Sequence, residues 1–253
     1  MNIAVITGAS AGLGTEYVKA VADTYPTLDE IWILARRKEK LEEIANKILT
    51  VKCRSIVCDV TNSDDLMSYK EMLNDFSANV KILVNNAGFG KLGIFDEISQ
   101  ESSVNMIRLN CEALTVVTAV TLPFMKPLSQ IINVSSIASF VPNARMAVYS
   151  STKAYVTSFS RALREELKKR KINVTAVCPG PMETEFLCLA DIAPGSSKTF
   201  DMLPRVNPKN VAIKSLVAAS RGKAMYTDRA FYKFYRILSK ILPHSILIKL
   251  AKT

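Results

Sequence analysis

Short apolar runs alternate with longer amphipathic segments along most of the 253 residues of the chain. The short runs are rich in Val and Ile, as expected of strands that are buried on both faces of a sheet. The longer segments carry apolar residues at helical spacing. This alternation predicts βαβ units and therefore a parallel sheet covered by helices on both sides.

The length suits a single domain, because no segment resembles a linker that would divide the chain. In a parallel sheet, ligands bind beyond the carboxyl ends of the strands, so the residues that follow each strand are candidate site residues. The predicted strands are 3–7, 30–35, 55–58, 82–85, 130–135, 173–178 and 223–227. The predicted helices are 12–23, 38–49, 63–76, 100–125, 149–169 and 208–220.

The amino-acid composition limits the kinds of protein that this chain can be. Apolar residues make up 49% of the chain, which is enough for a sizeable core. No run of about 18 apolar residues occurs and the first strand starts at Ile3, so we expect a cytoplasmic protein without a signal peptide. The five cysteines form no C-x-x-C pair, which favours free thiols, and with His244 as the single histidine we expect no metal site.

The stretch after the first strand, TGASAGLG at residues 7–14, has two interpretations. Its Gly8-x-Ser10-x-Gly12 pattern is that of a hydrolase nucleophile elbow, but an elbow follows a central strand and needs a histidine partner, for which only His244 is available. Alternatively, its glycines let backbone N–H groups approach a pyrophosphate at the start of a helix. The spacing of Gly8, Gly12 and Gly14 differs from the G-x-G-x-x-G fingerprint. The loop alone therefore does not distinguish a nucleophile elbow from a pyrophosphate-binding loop.

Other motifs follow the later strands, and they decide between these interpretations. Together with TGASAGLG they resemble the short-chain dehydrogenase/reductase family from Ile3 to about Thr184. One mild departure is Ile137-Ala138-Ser139, where the family often has x-Ala-Gly. The motifs that carry the resemblance are Asn85-Asn-Ala-Gly88, Asn110, Ser136, Tyr149-x-x-x-Lys153 and Pro179-Gly180.

The resemblance implies a Rossmann-type doubly wound α/β domain with strand order 3-2-1-4-5-6-7. It places the glycines of the loop against the pyrophosphate and Asp59 against the adenine amino group. It implies that residues 85–88 support the sheet behind the adenosine half. The residues it assigns to the cofactor are Gly8, Ser10, Gly12, Leu13, Gly14, Arg36, Arg37, Asp59, Val60, Asn86, Ala87, Gly88, Tyr149, Lys153, Pro179, Gly180 and Thr184.

Four residues are predicted to be catalytic. Tyr149 exchanges a proton with the carbonyl oxygen. Lys153, one helical turn later, is expected together with a positively charged nicotinamide to lower the phenol pKa by about 3 from its free value of about 10. Ser136 donates to the substrate oxygen. By resemblance, Lys153 also bonds the ribose hydroxyls and Asn110 holds a water that links Lys153 to solvent.

The nucleotide is predicted to be NADP(H). NAD-dependent enzymes place an acidic residue after the second strand, where this chain has Ala35 followed by Arg36 and Arg37. Arg36 can pair bidentately with a 2′-phosphate, and Arg37 adds charge. One observation points the other way, since Ala11 stands where many NADP-dependent relatives have a basic residue.

Residues 182–207 are predicted to form a loop-like apolar lid over the substrate. The expected pocket positions are nearly all apolar, which favours a lipophilic ketone or aldehyde, steroid-like or fatty, or the corresponding alcohol. Sugar and acyl-carrier substrates remain alternatives. The positions are Phe89, Phe140, Val141, Met146, Pro181, Met182 and Phe186.

The predicted dinucleotide-binding and catalytic domain spans 1–228, and 229–253 form a basic amphipathic extension. The net charge of +10 lies almost entirely after residue 204. The apolar side of the helix predicted at 230–242 could pack on the pocket or on a neighbouring subunit, or it could contact an anionic membrane. No nucleic-acid recognition motif accompanies the charge.

The resemblance implies a homodimer or homotetramer formed through the helices beginning near Gln100 and Tyr149. The principal functional hypothesis is an NADPH-dependent oxidoreductase that interconverts a lipophilic carbonyl and its alcohol. The alternative is a nucleotide-binding or membrane-docked protein with little turnover.

Overall fold

The computed structural model describes residues 1–193, 195 and 197–250. It contains a seven-stranded sheet in the order β3-β2-β1-β4-β5-β6-β7, in which every neighbouring pair is parallel. The predicted fold class and strand order are therefore confirmed. The strands are β1 (Asn2–Thr7), β2 (Glu30–Ala35), β3 (Lys52–Val57), β4 (Asn79–Asn85), β5 (Gln130–Val134), β6 (Asn173–Val177) and β7 (Met225–Tyr226).

Helices connect the strands and cover both faces of the sheet. The helix predicted at 100–125 is divided into two α-helices by a π-helical segment, Arg108–Ala113, and ends in a 3₁₀ turn, Leu122–Phe124. The helices are α1 (Gly12–Thr24), α2 (Lys38–Lys47), α3 (Ser63–Asp75), α4 (Gln100–Ile107), α5 (Leu114–Thr121), α6 (Ala147–Leu167), α7 (Glu185–Leu189), α8 (Lys198–Met202), α9 (Pro208–Ser220), α10 (Ala230–Ile241) and α11 (His244–Leu250).

Two apolar clusters form the core, one on each face of the sheet. Successive residues of β1 point to opposite faces, so Ile6 belongs to one cluster and Val5 to the other. Tyr17 of α1 packs in the first cluster, and its hydroxyl lies 2.6 Å from that of Ser215 in α9. Trp32 is fully buried in the second cluster. Burial on both faces explains why β1 and β2 are continuous apolar runs.

The segment Gln100–Phe124 is long and apolar enough to cross a membrane by length and composition alone. It packs against β4 and α6 and carries Asn110 into the interior of the domain. Packing inside the domain accounts for the apolar residues on one side of the segment, while Val104, Ile107 and Val116 remain exposed.

The segment predicted as a loop-like lid, 182–207, contains the two short helices α7 and α8. It is joined to the domain by a hydrogen bond from the Leu92 N–H to the Ala190 carbonyl (2.9 Å) and by an ion pair of Lys91 with Asp191 (2.6 Å). Asp191 has a positive φ of 56° and follows α7. Within the described residues the lid is thus a folded element.

Candidate active site

The glycine-rich loop between β1 and α1 is shaped by close backbone packing. Gly8 has a φ of +62°, and a Cβ there would lie 2.8 Å from the Cα of Ala87. The Asn86 amide donates hydrogen bonds to the carbonyls of Thr7 and Gly8, both at 3.1 Å. Only glycine combines this conformation with this proximity. The NNAG motif after β4 therefore fixes the loop after β1.

The N-terminus of α1 is built to receive an anion. Its N-cap residue is Ala11, which makes no side-chain capping bond, and its first turn contains no acidic residue. The first N–H groups of the helix therefore lack an intrahelical partner and carry the positive end of the helix dipole. These features fit the pyrophosphate of a dinucleotide, and Gly8, Ser10, Gly12 and Leu13 line the adjacent cavity.

The two arginines after β2 point to different partners. The guanidinium of Arg37 lines the cavity, donates to the Ser10 hydroxyl (3.1 Å) and pairs with Glu185 of α7 (3.0 Å). Arg36 is 78% exposed and lies 3.7 Å from the Asp59 carboxylate. Arg37 therefore lies on the phosphate loop, while Arg36, predicted to pair with a 2′-phosphate, lies beside the residue predicted to contact the adenine.

Asp59 and Val60, predicted to contact the adenosine, form a turn after β3. The Asp59 carboxylate accepts hydrogen bonds from the N–H (3.0 Å) and hydroxyl (2.7 Å) of Thr61. Partial burial acts to raise the pKa of Asp59, but the Thr61 bonds and the Arg36 charge outweigh it and hold the pKa below its usual range. Val60 is 6% exposed and packs in the core. The two residues lie outside the cavity lining.

The four predicted catalytic residues come from three separate parts of the chain and meet at one end of the sheet. Ser136 follows β5, Tyr149 and Lys153 occupy one face of α6, and Asn110 lies in the π-helical segment. Ser136, Tyr149 and Lys153 line the same cavity. Asn110 lies directly behind them, since a Cβ on Gly88 would be 2.8 Å from its Oδ1 and 3.3 Å from the Lys153 Nζ.

The pKa of Tyr149 set by the protein groups alone is higher than that of a free phenol. Burial of the phenol raises its pKa to about 12, although the Ser136 hydroxyl acts to lower it. The Lys153 Nζ lies 5.8 Å from the centroid of the Tyr149 ring and donates to the Val134 carbonyl at 2.9 Å. Lys153 therefore does not lower the pKa of the phenol in this structure, and Tyr149 is protonated at neutral pH.

Lys153 is itself 4% exposed, a rare environment for a lysine. Burial lowers its pKa from 10.5 to about 8, against a weaker opposing influence of the Cys111 and Cys178 thiols. The charged form is thus only weakly favoured at neutral pH. A buried lysine beside a buried phenol is typical of a functional site rather than of a structural core.

Asn110 is held by three hydrogen bonds. Its amide donates to the Phe89 carbonyl (2.8 Å) and the Thr152 hydroxyl (3.0 Å), and its Oδ1 accepts from the Phe89 N–H (3.0 Å). The π-helical turn directs this side chain toward α6 and the loop after β4. π-helical turns are frequent at functional sites, and no pattern in the sequence marks this one.

A cluster of hydroxyl and thiol groups supports α6 against β5 and β6, and sequence reasoning missed it. The Ser135 hydroxyl donates to the Lys153 carbonyl (2.8 Å) and lies 2.7 Å from the Thr157 hydroxyl. Thr157 donates to Ser139 at 2.9 Å, and both lie within 4 Å of the Cys178 sulfur. Because burial raises its pKa, the Cys178 thiol is neutral and serves here in packing.

The cavity that contains these groups has a volume of about 570 Å³. Besides Tyr149 and the phosphate loop, it is lined by four of the predicted pocket residues, Met146, Pro181, Met182 and Phe186. Phe89, Phe140 and Val141 do not line it. Further lining residues come from the predicted lid and from the C-terminal helices, for which packing on the pocket was one of the expected alternatives. They include Ile192, Phe200, Leu203, Tyr232, Tyr235, Leu238 and Leu247.

The C-terminal helices therefore contribute a wall of the cavity. Tyr232 of α10 is fully buried, its hydroxyl donates to the Pro204 carbonyl at 2.7 Å, and its ring lies against Gly180. The lid covers another side, where the ring centroid of Phe186 lies 5.7 Å from that of Tyr149. Tyr149 is 7% exposed as a result, so solvent is largely excluded from the reacting end.

Among the described residues, no group of three or more His, Cys, Asp or Glu side chains is arranged to hold a metal ion. The five cysteines are all free. The arrangement of the cavity instead fits a dinucleotide along the loop edge and a second molecule under the lid.

A parallel doubly wound sheet with a phosphate loop, a half-buried Ser136 and a buried Tyr149 and Lys153 defines a dinucleotide-dependent oxidoreductase. The short chain dehydrogenase family model matches residues 2–190, and the chain belongs to that family. An uncharacterized oxidoreductase of Staphylococcus saprophyticus is 28% identical over 222 residues, which cover 86% of this chain and 90% of the relative.

Two solved structures give the same assignment. A short-chain dehydrogenase from Sphingobium yanoikuyae in complex with NADPH has a TM-score of 0.82 and 26% identity, with 95% of this chain and 93% of that chain covered. A 3-ketoacyl-(acyl-carrier-protein) reductase from Brucella melitensis complexed with NADH has a TM-score of 0.76 and 26% identity, with 89% and 93% covered. These neighbours support NAD(P) dependence of the present protein.

Proposed function

We propose that this protein is an NADPH-dependent reductase that converts a lipophilic ketone or aldehyde to its alcohol. The observation that carries the proposal is the pair formed by the buried Tyr149 and the half-buried Ser136 at the end of an apolar cavity of about 570 Å³. The phenol supplies a proton where the carbonyl oxygen would lie, and apolar walls would hold the remainder of the substrate.

The charges of the cavity support a lipophilic substrate. The charged residues that line it within the described chain are Arg37, Lys153 and Glu185. Arg37 and Glu185 pair with one another at the nucleotide end, and Lys153 is bonded to a backbone carbonyl. Among the described residues that line the cavity, no cationic side chain is thus free to bind the carboxylate of a small acid near Tyr149. Aromatic and aliphatic side chains occupy that region instead.

Each of the four residues at the site has a separate role in the proposed reaction. The Ser136 hydroxyl donates to the substrate oxygen and positions it, and Tyr149 transfers its proton as negative charge develops there. A phenol whose pKa is about 12 is fully protonated at neutral pH, which suits it to the reductive direction. The bound nicotinamide supplies the hydride. Lys153 holds the ribose of the cofactor, and Asn110 fixes the loop that borders it.

The preference for NADP(H) is also a proposal. Ala35 leaves the end of β2 without the acidic residue that a ribose 2′-hydroxyl requires, and Arg36 and Arg37 follow it. The Arg37 guanidinium lies on the Ser10 hydroxyl at the edge of the phosphate loop, where it can exchange Glu185 for a phosphate. Arginine pairs with phosphate more strongly than with an exposed carboxylate.

We also propose that the protein forms a homo-oligomer and that it is cytoplasmic, and each proposal has its own reason. Exposed apolar residues occur on the helices that the family resemblance assigned to subunit contacts, among them Ile107 (50% exposed) and Tyr155 (41% exposed). The free thiols agree with a reducing compartment. Sedimentation velocity on the purified protein, with Ile107→Ser and Tyr155→Ser as variants, tests the interface.

The activity test is NADPH oxidation measured against a panel of lipophilic carbonyl compounds, steroids and fatty aldehydes included. We expect turnover of at least one of them and no turnover of small keto acids. Tyr149→Phe is the control, because it removes only the proton that is transferred. It is expected to abolish turnover and leave nucleotide binding nearly intact.

Two results would contradict the proposal. Retention of more than a tenth of wild-type activity in Tyr149→Phe would remove the assigned acid. Tight NADPH binding without oxidation of any carbonyl would favour the alternative, a nucleotide-binding protein with little turnover. Equal KM values for NADPH and NADH would refute the role given to the two arginines.

A further inference from the structure

Helix α10 has two apolar faces, of which only one is buried by the domain. On the buried face, Tyr232 and Ser239 are 0% and 6% exposed. The Tyr235 ring lies 6.1 Å from the ring of Phe140, and both Tyr235 and Leu238 line the substrate cavity. These contacts fix the rotation of α10 about its axis. They therefore determine which side of the helix faces solvent.

The opposite face carries a stripe of large apolar side chains exposed to solvent, which we call the outer stripe. It consists of Phe231, Phe234, Ile237 and Ile241, which are 53%, 62%, 54% and 71% exposed. Their spacing of three, three and four residues places them along one side of the helix over about 15 Å. Ile246 of α11 is 47% exposed and extends the apolar surface. Contiguous exposed groups of this kind mark an interaction surface.

Positive charge borders the outer stripe. Lys233 and Lys240 are both exposed and seven residues apart, so they lie along the same edge of the helix. Residues 229–253 contain six Lys and Arg and no Asp or Glu. An apolar stripe with lysines at its edge is the pattern of a helix that lies in the plane of a membrane interface, with its lysine stems extended toward lipid phosphates.

The mouth of the substrate cavity opens beside the outer stripe. Phe231 belongs to the stripe and also lines the cavity. Leu189 and Met202 of the lid line the cavity too, although they are 57% and 77% exposed. The cavity entrance is therefore surrounded by apolar side chains that have no cover within the described chain.

We propose that α10 and α11 bind the surface of a membrane that contains anionic lipids, with the outer stripe among the upper acyl chains. The lysines beside the outer stripe favour a membrane, rather than a second copy of the chain, as the partner. Two outer stripes packed together would bring two lysine edges into contact with no acidic residue to offset them. The inference goes beyond the proposed reductase activity, since binding is measured without substrate or nucleotide.

The test is co-sedimentation of the full-length protein with vesicles of phosphatidylcholine alone and of phosphatidylcholine mixed with phosphatidylglycerol. We expect binding to the mixed vesicles at low salt, little binding to the neutral vesicles, and weaker binding as salt rises. Failure to sediment with the mixed vesicles at low salt would overturn the proposal.

Two variants identify the surface. The triple variant Phe234→Ser/Ile237→Ser/Ile241→Ser removes exposed apolar groups that do not line the cavity, and it should abolish sedimentation. Lys233→Gln/Lys240→Gln should weaken binding about 25-fold, given roughly fivefold for each basic residue near an anionic surface. Thermal unfolding measured by circular dichroism should remain close to that of the wild type for both.

Matched control variants change the same chemistry elsewhere on the surface. Leu49→Ser/Met67→Ser removes exposed apolar groups that are 92% and 56% accessible. Lys168→Gln/Lys169→Gln removes two exposed charges beyond α6. Both should bind vesicles like the wild type. The proposal fails if the control variants lose binding as much as the outer-stripe variants, or if the triple variant instead dissociates an oligomer and leaves sedimentation with vesicles unchanged.

Discussion

Lys153 should make the free protein less stable than it would be with an apolar residue at the same position. Its ammonium is 4% exposed, and burial lowers its pKa from 10.5 to about 8. At about 1.36 kcal/mol for each pH unit, this difference corresponds to a cost of about 3 kcal/mol in the folded state. The cost is present when the group is charged in both the folded and unfolded states.

The pH dependence follows from which state releases its proton first. Below pH 8 the lysine is charged in both states, so the whole cost is present. Between pH 8 and 10.5 the folded protein releases the proton while the unfolded chain retains it, so stability rises with pH. Above pH 10.5 both states are neutral and no cost remains.

We therefore expect Lys153→Met to stabilise the protein at pH 7 while abolishing turnover. Loss of the bond to the Val134 carbonyl costs about 1 kcal/mol, which leaves a net gain of about 2 kcal/mol. For a chain of this size the melting temperature should rise by about 6 °C. Urea unfolding followed by the fluorescence of Trp32, the single tryptophan and fully buried, measures the change.

The control is Lys168→Met, which removes a lysine whose side chain is 76% exposed. Its effect should stay within about 0.5 kcal/mol at every pH. The difference between Lys153→Met and the wild type should shrink between pH 8 and 10.5. A variant less stable than the wild type at pH 7, or a gain that does not change across this range, would refute the reasoning.

Three further substitutions follow from close contacts and charges at the site. Gly8→Ala forces an alanine into a φ of +62° with its Cβ 2.8 Å from the Ala87 backbone. The melting temperature and the affinity for NADPH should therefore both fall, and calorimetry measures both. Gly180→Ala places a Cβ against the Tyr232 ring, so α10 should shift and the KM for the carbonyl substrate should rise more than that for NADPH. Arg36→Gln/Arg37→Gln should lower kcat/KM for NADPH by about 100-fold, because two charge-assisted bonds are lost. The kcat/KM for NADH should change less than about threefold. Equal losses with both nucleotides would contradict the role of the two arginines.

Local pattern was enough to predict the sheet and most of its connections. A strand buried on both faces must be apolar at nearly every position, so β1 and β2 were recognisable without any tertiary information. Glycine at positions 8, 12 and 14 and the i, i+4 spacing of Tyr149 and Lys153 have local causes too. The family resemblance supplied the order of the strands, which the structure confirms.

The sequence by itself thus determined the fold, the family and which residues meet at the end of the sheet. Only the tertiary structure decided their electrostatic state, because the pKa of Tyr149 and that of Lys153 depend on burial by residues distant in sequence, such as Phe186 of the lid, which packs against Tyr149. It also decided that Arg37, and not Arg36, lies on the phosphate loop, and that a π-helical turn presents Asn110. Periodicity marked α10 as amphipathic, but which of its apolar faces is covered depends on contacts distant in sequence, such as that between Tyr232 and Gly180.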